Sequence, residues 1–432
     1  MQKIEVRIGG GATRVGTLLF DQKGQKETSA FTYERDWLEN ARAFPIAPSM
    51  PLREATYYTT KLANASSLPG PIADSTPDSW GREVIKMKRG GGHLTDFDYL
   101  VESDDFLRSG ALRYFEGENE QARPVASGDG IGEASVPRLY DLSEVIAQAR
   151  AFEADPERYR EKRAKMVGGD ILANAVGSLG GARPKVNARA EDGSLWIVKL
   201  AKMDDTHDIA RSEVLALDLA RRVGIDTAAA SILQTSQKYP VALIKRFDRM
   251  GPDGNIRIPF ISAQTFMDLP GTEPSNYVDI AQALQLYSTD PKQQMQELYK
   301  RLLFSILIQN TDDHLRNHGL LLDRHQKWSL SPAYDINPTP DEGVTLKTAI
   351  SEIHGNVPDI ALAIEASVYF DLTEDDARQI AGAMATTIND EWRQRAAELK
   401  MGAKDVVRIA PAFENGQMAQ ALALSRTRSY AG

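Results

Sequence analysis

The stretch Leu302-Leu303-Phe304-Ser305-Ile306-Leu307-Ile308 is apolar almost throughout, and shortly after it the chain reads Thr311-Asp312-Asp313-His314-Leu315-Arg316-Asn317. Too short to cross a membrane, the apolar run predicts a buried helix that delivers a polar loop. Leu320, Leu321 and Leu322 then predict a short buried strand, and Trp328 and Leu330 a second. Together they would form a hairpin with polar groups at both ends. The loop precedes it, and Tyr334-Asp335, just past the turn-forming Ser331-Pro332, follows it. This frame has the spacing that phosphoryl transfer requires: a carboxylate to take the acceptor proton, an amide five residues on for magnesium, and a carboxylate beyond to bridge metal and phosphates. Asp312, Asn317 and Asp335 meet the pattern. Asp313 lies four residues from Asn317 rather than five, so spacing assigns the base to Asp312.

A second polar loop lies upstream, Ser178-Leu179-Gly180-Gly181-Ala182-Arg183-Pro184-Lys185. Its glycines would let backbone amides from Gly180 to Lys185 approach phosphates closely. It is no Walker loop, because it runs into a strand (Val186, Asn187, Ala188) rather than a helix. A turn at Asp192-Gly193 leads to a second strand, Leu195-Trp196-Ile197-Val198-Lys199-Leu200, whose lysine is placed to contact phosphates. Glu213 lies 14 residues on (213 minus 199), within a helical pattern over 209–223 whose apolar positions mark one buried face. A helix glutamate of this kind would orient Lys199.

Composition limits the alternatives. His314 and His318 are four apart and could share a helical face, but no H-E-x-x-H occurs and the other four of the six histidines are scattered, so zinc chemistry is set aside. The 432 residues contain no cysteine, which excludes disulfides and fits a reducing cytoplasm. The start alternates charged and apolar residues, predicting a strand rather than a signal peptide, and no membrane span is expected. A net charge of -9 disfavours unaided binding to nucleic acid and suits a basic protein partner. Residues 1–117 read as a mixed strand and helix region and 118–137 as a linker rich in Gly, Glu, Ser and Pro. Residues 138–249 would form a β-containing nucleotide lobe and 250–432 a mostly helical lobe, with helices at 277–287, 293–308, 358–366 and 374–399.

With these motifs in order, the chain resembles the HipA-type serine/threonine protein kinase toxins of type II toxin–antitoxin systems. The resemblance rests on S-x-x-G-A-x-x-K (Ser178 to Lys185), Lys199, a hinge Lys245-Arg246-Phe247-Asp248-Arg249, the T-D-x-H-x-x-N loop and Tyr334-Asp335. In the first region it rests on Arg14-Val15-Gly16, Phe31, Tyr33, Trp37-Leu38, Pro77-Asp78-Ser79, and Asp105 with Ser109-Gly110-Ala111. One departure is Lys245, where family members carry an acid. The resemblance implies an α+β fold of protein-kinase-like, two-lobed type, with ATP and Mg2+ as cofactors. It places Gly180, Gly181, Ala182, Arg183, Pro184, Lys185, Lys199, Lys245, Arg246, Phe247, His314, Asn317, Tyr334 and Asp335 at the nucleotide, and Asn317 and Asp335 at the metal. Ser178 would be an autophosphorylation site that switches the enzyme off. A small DNA-binding, HipB-like antitoxin would be the partner and would carry most contact with DNA. The substrate would be a protein such as an aminoacyl-tRNA synthetase. The rival expectation is a catalytically weak kinase-fold module that binds nucleotide within a repressor complex.

Overall fold

Alternation of apolar and polar residues from the first residue onward does what it predicts: Ile4 and Val6 are buried on one strand, and Leu18 and Phe20 on the next. A computed structural model of the chain describes residues 1–62, 65–117, 121–126, 136–163, 171–175, 177, 181, 183–235, 238–251, 254–271 and 274–426. The chain divides into two units, Met1–Asp204 with Leu243–Thr272, and Asp205–Ala242 with Glu273–Gly432.

In the first unit, β1 (Gln2–Ile8), β2 (Thr13–Lys23), β3 (Lys26–Tyr33), β4 (Thr56–Thr60), β5 (Leu112–Glu116) and β6 (Arg123–Pro124) form one sheet in the order β4-β3-β2-β1-β5-β6. All neighbours are antiparallel. One face carries the core, with Phe31 and Tyr114 packed among Trp37, Phe97 and Leu100. Gly16 is required there, because a Cβ would sit 2.5 Å from the Phe31 ring and from Thr32 O. The expected linker is partly a strand, since Arg123 and Pro124 pair with Glu116 and Phe115; most of the rest of it lies outside the described residues. Helix Ser79–Lys88 starts at Asp78, whose side chain accepts from Gly81 N at 2.7 Å. The predicted hairpin forms from β7 (Lys185–Arg189) and β8 (Leu195–Lys199), and it turns at Gly193 with φ 82°.

A buried ionic network binds the end of the first region to the segment after residue 245. Arg246 donates to Leu107 O at 2.7 Å, Arg108 O at 3.1 Å and Asn187 Oδ1 at 2.9 Å, and it pairs with Asp248. Asp248 accepts from Gly110 N at 2.8 Å and from Arg249, while Arg257 donates to Asp105 O at 2.7 Å. Buried ions cost free energy unless paired and hydrogen-bonded, and here they are. Burial alone would raise the Asp248 pKa, but Arg246, Arg249 and the Gly110 amide outweigh it and hold it far below the ordinary 3.8.

The second unit is mostly helical. The helices Tyr277–Tyr287, Pro291–Leu307, Ile360–Glu365 and Glu374–Glu398 follow the predicted ranges within a few residues, and Ala403–Phe413 and Gly416–Arg426 add two more. Helix Ile209–Arg222 belongs here, because Arg222 pairs with Glu391 at 2.7 Å and Arg395 with Asp218 at 2.7 Å on Glu374–Glu398. The sequence boundary at 249/250 therefore does not coincide with these units: residues 138–204 and 243–249 lie in the first, and 205–242 in the second. The hairpin Gly319–Leu322 with Trp328–Leu330 is present as predicted. Among the described residues, no helix is long and apolar enough to cross a membrane.

Candidate active site

The loop over 311–317 is presented by a helix buried to its last turn. Leu302, Leu303, Phe304, Ile306, Leu307 and Ile308 are all 1 % exposed or less. The helix stops at Gln309, which takes a left-handed φ of 52°, and Asn310 then braces the turn. Its side-chain amide donates to Ser305 Oγ at 3.3 Å and its oxygen accepts from Asn337 N at 3.1 Å. His314 opens the short 3-10 turn Leu315–Asn317, with His314 N donating to Asp312 O at 2.9 Å.

Two adjacent aspartates face opposite situations. Asp313 is buried: it accepts from Tyr277 Oη and, at 3.2 Å, from Ser305 Oγ, and it lies 3.2 Å from His318 Nε2. Burial works to raise its pKa, yet His318 and the hydroxyl donors prevail and lower it. The same burial, with Asp313 alongside, pushes the Tyr277 phenol well above its ordinary value. His318 thus serves the fold beneath the loop, edge-on to the Tyr277 ring at 5.3 Å. Asp312, by contrast, has a side chain 65 % exposed, with Lys347 Nζ 3.0 Å from its Oδ1. A carboxylate that must meet an incoming hydroxyl needs that access.

The metal-ligand candidates are oriented by their neighbours. Asn317 Nδ2 donates to Asp312 O at 3.1 Å, which leaves its amide oxygen as the ligating atom. Asp335 stands in a left-handed conformation, φ 57°, which aspartate tolerates better than most residues, and its Oδ1 accepts from Asn337 Nδ2 at 3.1 Å. Tyr334 Oη donates to Arg316 O at 2.7 Å, tying the Tyr-Asp pair to the loop. One amide and one carboxylate oxygen fit magnesium, which takes few protein ligands and draws the rest from phosphates and water.

Lys347 and Thr348 were not anticipated. Lys347 N donates to Thr311 O at 3.1 Å and Thr348 Oγ1 to Asp313 O at 2.7 Å, so this segment is laced across the loop. No motif marks it; the signal is three-dimensional.

In the first unit, Lys185 and Lys199 are register partners across the β7–β8 hairpin. Directly opposed residues of an antiparallel pair share a face. The Lys185 side chain is 4 % exposed and its Nζ is 2.7 Å from Asp78 Oδ2, while Lys199 is half-buried. Of the glycine loop, Gly181 takes φ 112° and Arg183 and Pro184 are described; Ser178, Gly180 and Ala182 lie outside the described residues. Lys245 Nζ lies 3.9 Å from Asp192 Oδ2. Arg246 N donates to Leu195 O at 2.9 Å, setting the hinge beside β8, while its guanidinium belongs to the buried network. The Phe247 ring lies 6.2 Å from that of Phe260. Glu213 is buried on helix Ile209–Arg222 of the second unit.

Comparison with known proteins gives this arrangement a family. The model of the HipA-like C-terminal domain matches residues 177–392, half of the chain, and that of the HipA N-terminal domain matches residues 5–105. The chain belongs to the HipA family. Toxin YjjJ of Escherichia coli (strain K12) is 26 % identical over 310 residues, 66 % of this chain and 64 % of that protein. "Putative kinase Y4dM" of Sinorhizobium fredii (strain NBRC 101917 / NGR234) is 31 % identical over 160 residues, 34 % of this chain and 38 % of its own length. The HipA of Shewanella oneidensis MR-1, solved with HipB and operator DNA, matches with a TM-score of 0.67 at 18 % identity, covering 98 % of this chain and 97 % of that one. The fold is thus the α+β fold of HipA, strand-rich first and helical towards the C-terminus.

Proposed function

We propose that this chain is an ATP- and magnesium-dependent serine/threonine protein kinase and the toxin of a toxin–antitoxin pair. The observation that carries the reading is the division of labour at Asp312-Asp313: Asp313 is committed to Tyr277, Ser305 and His318, while Asp312 is exposed beside Lys347 with its carbonyl held by Asn317. Asp312 would orient the acceptor hydroxyl and take its proton. Asn317 and Asp335 would hold magnesium, which when bound neutralises charge on the nucleotide phosphates. Lys199, oriented by Glu213, would contact those phosphates, and amides of residues 180–185 would cradle them. Backbone groups of residues 245–247 would read the adenine.

A small DNA-binding, HipB-like antitoxin is the proposed partner, supported by the HipB-bound state of the Shewanella relative. The proposed substrate is a protein of the translation apparatus such as an aminoacyl-tRNA synthetase, in the cytoplasm. Phosphorylation of Ser178 would add about -1.5 to -2 charge beside the nucleotide phosphates and so shut the enzyme down. The test is incubation of the purified chain with labelled ATP and a lysate of its host, with Asp312→Asn as control. A labelled protein band and a labelled Ser178 peptide, both absent in the control, are expected; labelling that persists in the control would remove Asp312 from its role.

A further inference from the structure

The sequence places two lysines, Lys185 and Lys199, where phosphates are to be bound, and the fold sets them opposite each other on one face of the β7–β8 hairpin. Like charges directly opposed in a sheet repel. The conflict is resolved from outside the hairpin, by Asp78. Its Oδ2 lies 2.7 Å from Lys185 Nζ, and both side chains are more than nine-tenths buried, at 6 % and 4 % exposed. Its other oxygen, Oδ1, accepts from Gly81 N at 2.7 Å and so fixes the aspartate at the start of helix Ser79–Lys88. The next residue reaches the same loop, with Ser79 Oγ donating to Gly181 O at 3.4 Å.

We propose that Asp78 is a positioning residue for nucleotide binding, acting through Lys185. The lysine that sequence assigns to the phosphates serves instead as the anchor of their loop, and Lys199 is the lysine that meets them. The Pro77-Asp78-Ser79 motif thereby makes the first region part of the nucleotide site. This inference rests on the kinase reading above, and the experiment separates the two.

Three variants suffice: Asp78→Asn, Lys185→Met and the double. Asparagine keeps the oxygen that caps the helix, and methionine keeps the aliphatic volume, so far-UV circular dichroism should show a folded chain in each. Binding of a non-hydrolysable ATP analogue with magnesium is measured by calorimetry, and backbone hydrogen exchange is followed over residues 183–189. If the two side chains act as one device, each single change weakens analogue binding about tenfold or more, and the double is no worse than the weaker single. Exchange over 183–189 rises in all three, while that of β1 to β3 stays as in the wild type. In turnover, KM for ATP rises more than kcat falls, as for a lost binding contribution. Additive losses in the double variant, or wild-type exchange over 183–189 in Asp78→Asn, overturn the anchor. Wild-type protein that fails to bind the analogue overturns the kinase reading and with it the role at the nucleotide.

Discussion

Exchanging each of the two neighbouring aspartates for asparagine separates catalysis from stability. Asp313 has two hydroxyl donors on Oδ2, from Tyr277 and Ser305, and His318 on Oδ1. Asparagine can keep one oxygen towards the hydroxyls but turns an amide NH2 towards His318 and discards the charge. Leaving buried hydrogen-bonding groups without their partner costs about 1–3 kcal/mol. For a unit of roughly 200 residues each kcal/mol shifts Tm by about 2–4 °C, so Asp313→Asn should melt about 2–12 °C lower. Asp312 is exposed and, among the described residues, its carboxylate pairs with an exposed lysine, an arrangement worth at most about 1 kcal/mol. Asp312→Asn should therefore melt within about 4 °C of the wild type. Phosphoryl transfer should run the other way. Labelled phosphate incorporation, measured well below both melting points, should fall about 100-fold or more in Asp312→Asn, the scale of a general base. In Asp313→Asn, the folded fraction should retain most activity. An Asp313→Asn protein with unchanged Tm and no activity, beside an active Asp312→Asn, would refute the division of roles.

Asp335→Ala should weaken ATP binding strongly in magnesium and little in EDTA, as read by calorimetry; equal losses in both would remove Asp335 from the metal. Lys347→Met should leave Tm within about 4 °C of the wild type, since an exposed pair contributes little to stability. Its loss should appear in kcat instead, and an unchanged kcat would show that Lys347 only lies nearby. Asp248 has a folded pKa depressed below its ordinary 3.8, so the stability it contributes is complete above that value and is lost as pH falls through the folded value. Urea midpoints measured from pH 5 downward should decline less steeply in Asp248→Asn than in wild type, and parallel declines would contradict the depressed pKa.

The helices and the 319–330 hairpin could be read from the chain because each is specified by local pattern: apolar residues on one helical face, or a short apolar run bounded by turn residues. Asp312 was separable from Asp313 because backbone spacing is itself a local property. What could not be read depends on partners far apart in the chain. Lys185 and Asp78 are 107 residues apart, and Arg257 and Asp105 are 152 apart. The Lys185 sequence neighbourhood looks like a phosphate loop whether or not an aspartate waits beside it. Arg246 likewise resembles a hinge residue in sequence, while its guanidinium is spent on Leu107 and Arg108 carbonyls. Helix Ile209–Arg222 was found correctly, but its side was not, since Glu391 and Arg395 lie some 170 residues downstream.

The buried network around Asp248 also sets a timetable for synthesis. Gly110 and its partner Asp248 are separated by 138 residues. At a translation rate of about 5–20 residues per second, roughly 7–28 s pass between the emergence of one and the other. For that interval the backbone groups of Leu107, Arg108 and Gly110 have no Arg246, Asp248 or Arg249 to meet. The first region cannot close on itself when its own last strand is made. Its completion is deferred until residues 246–249 have left the ribosome, so a chain truncated before residue 246 would leave that seam open and accessible to proteases and chaperones.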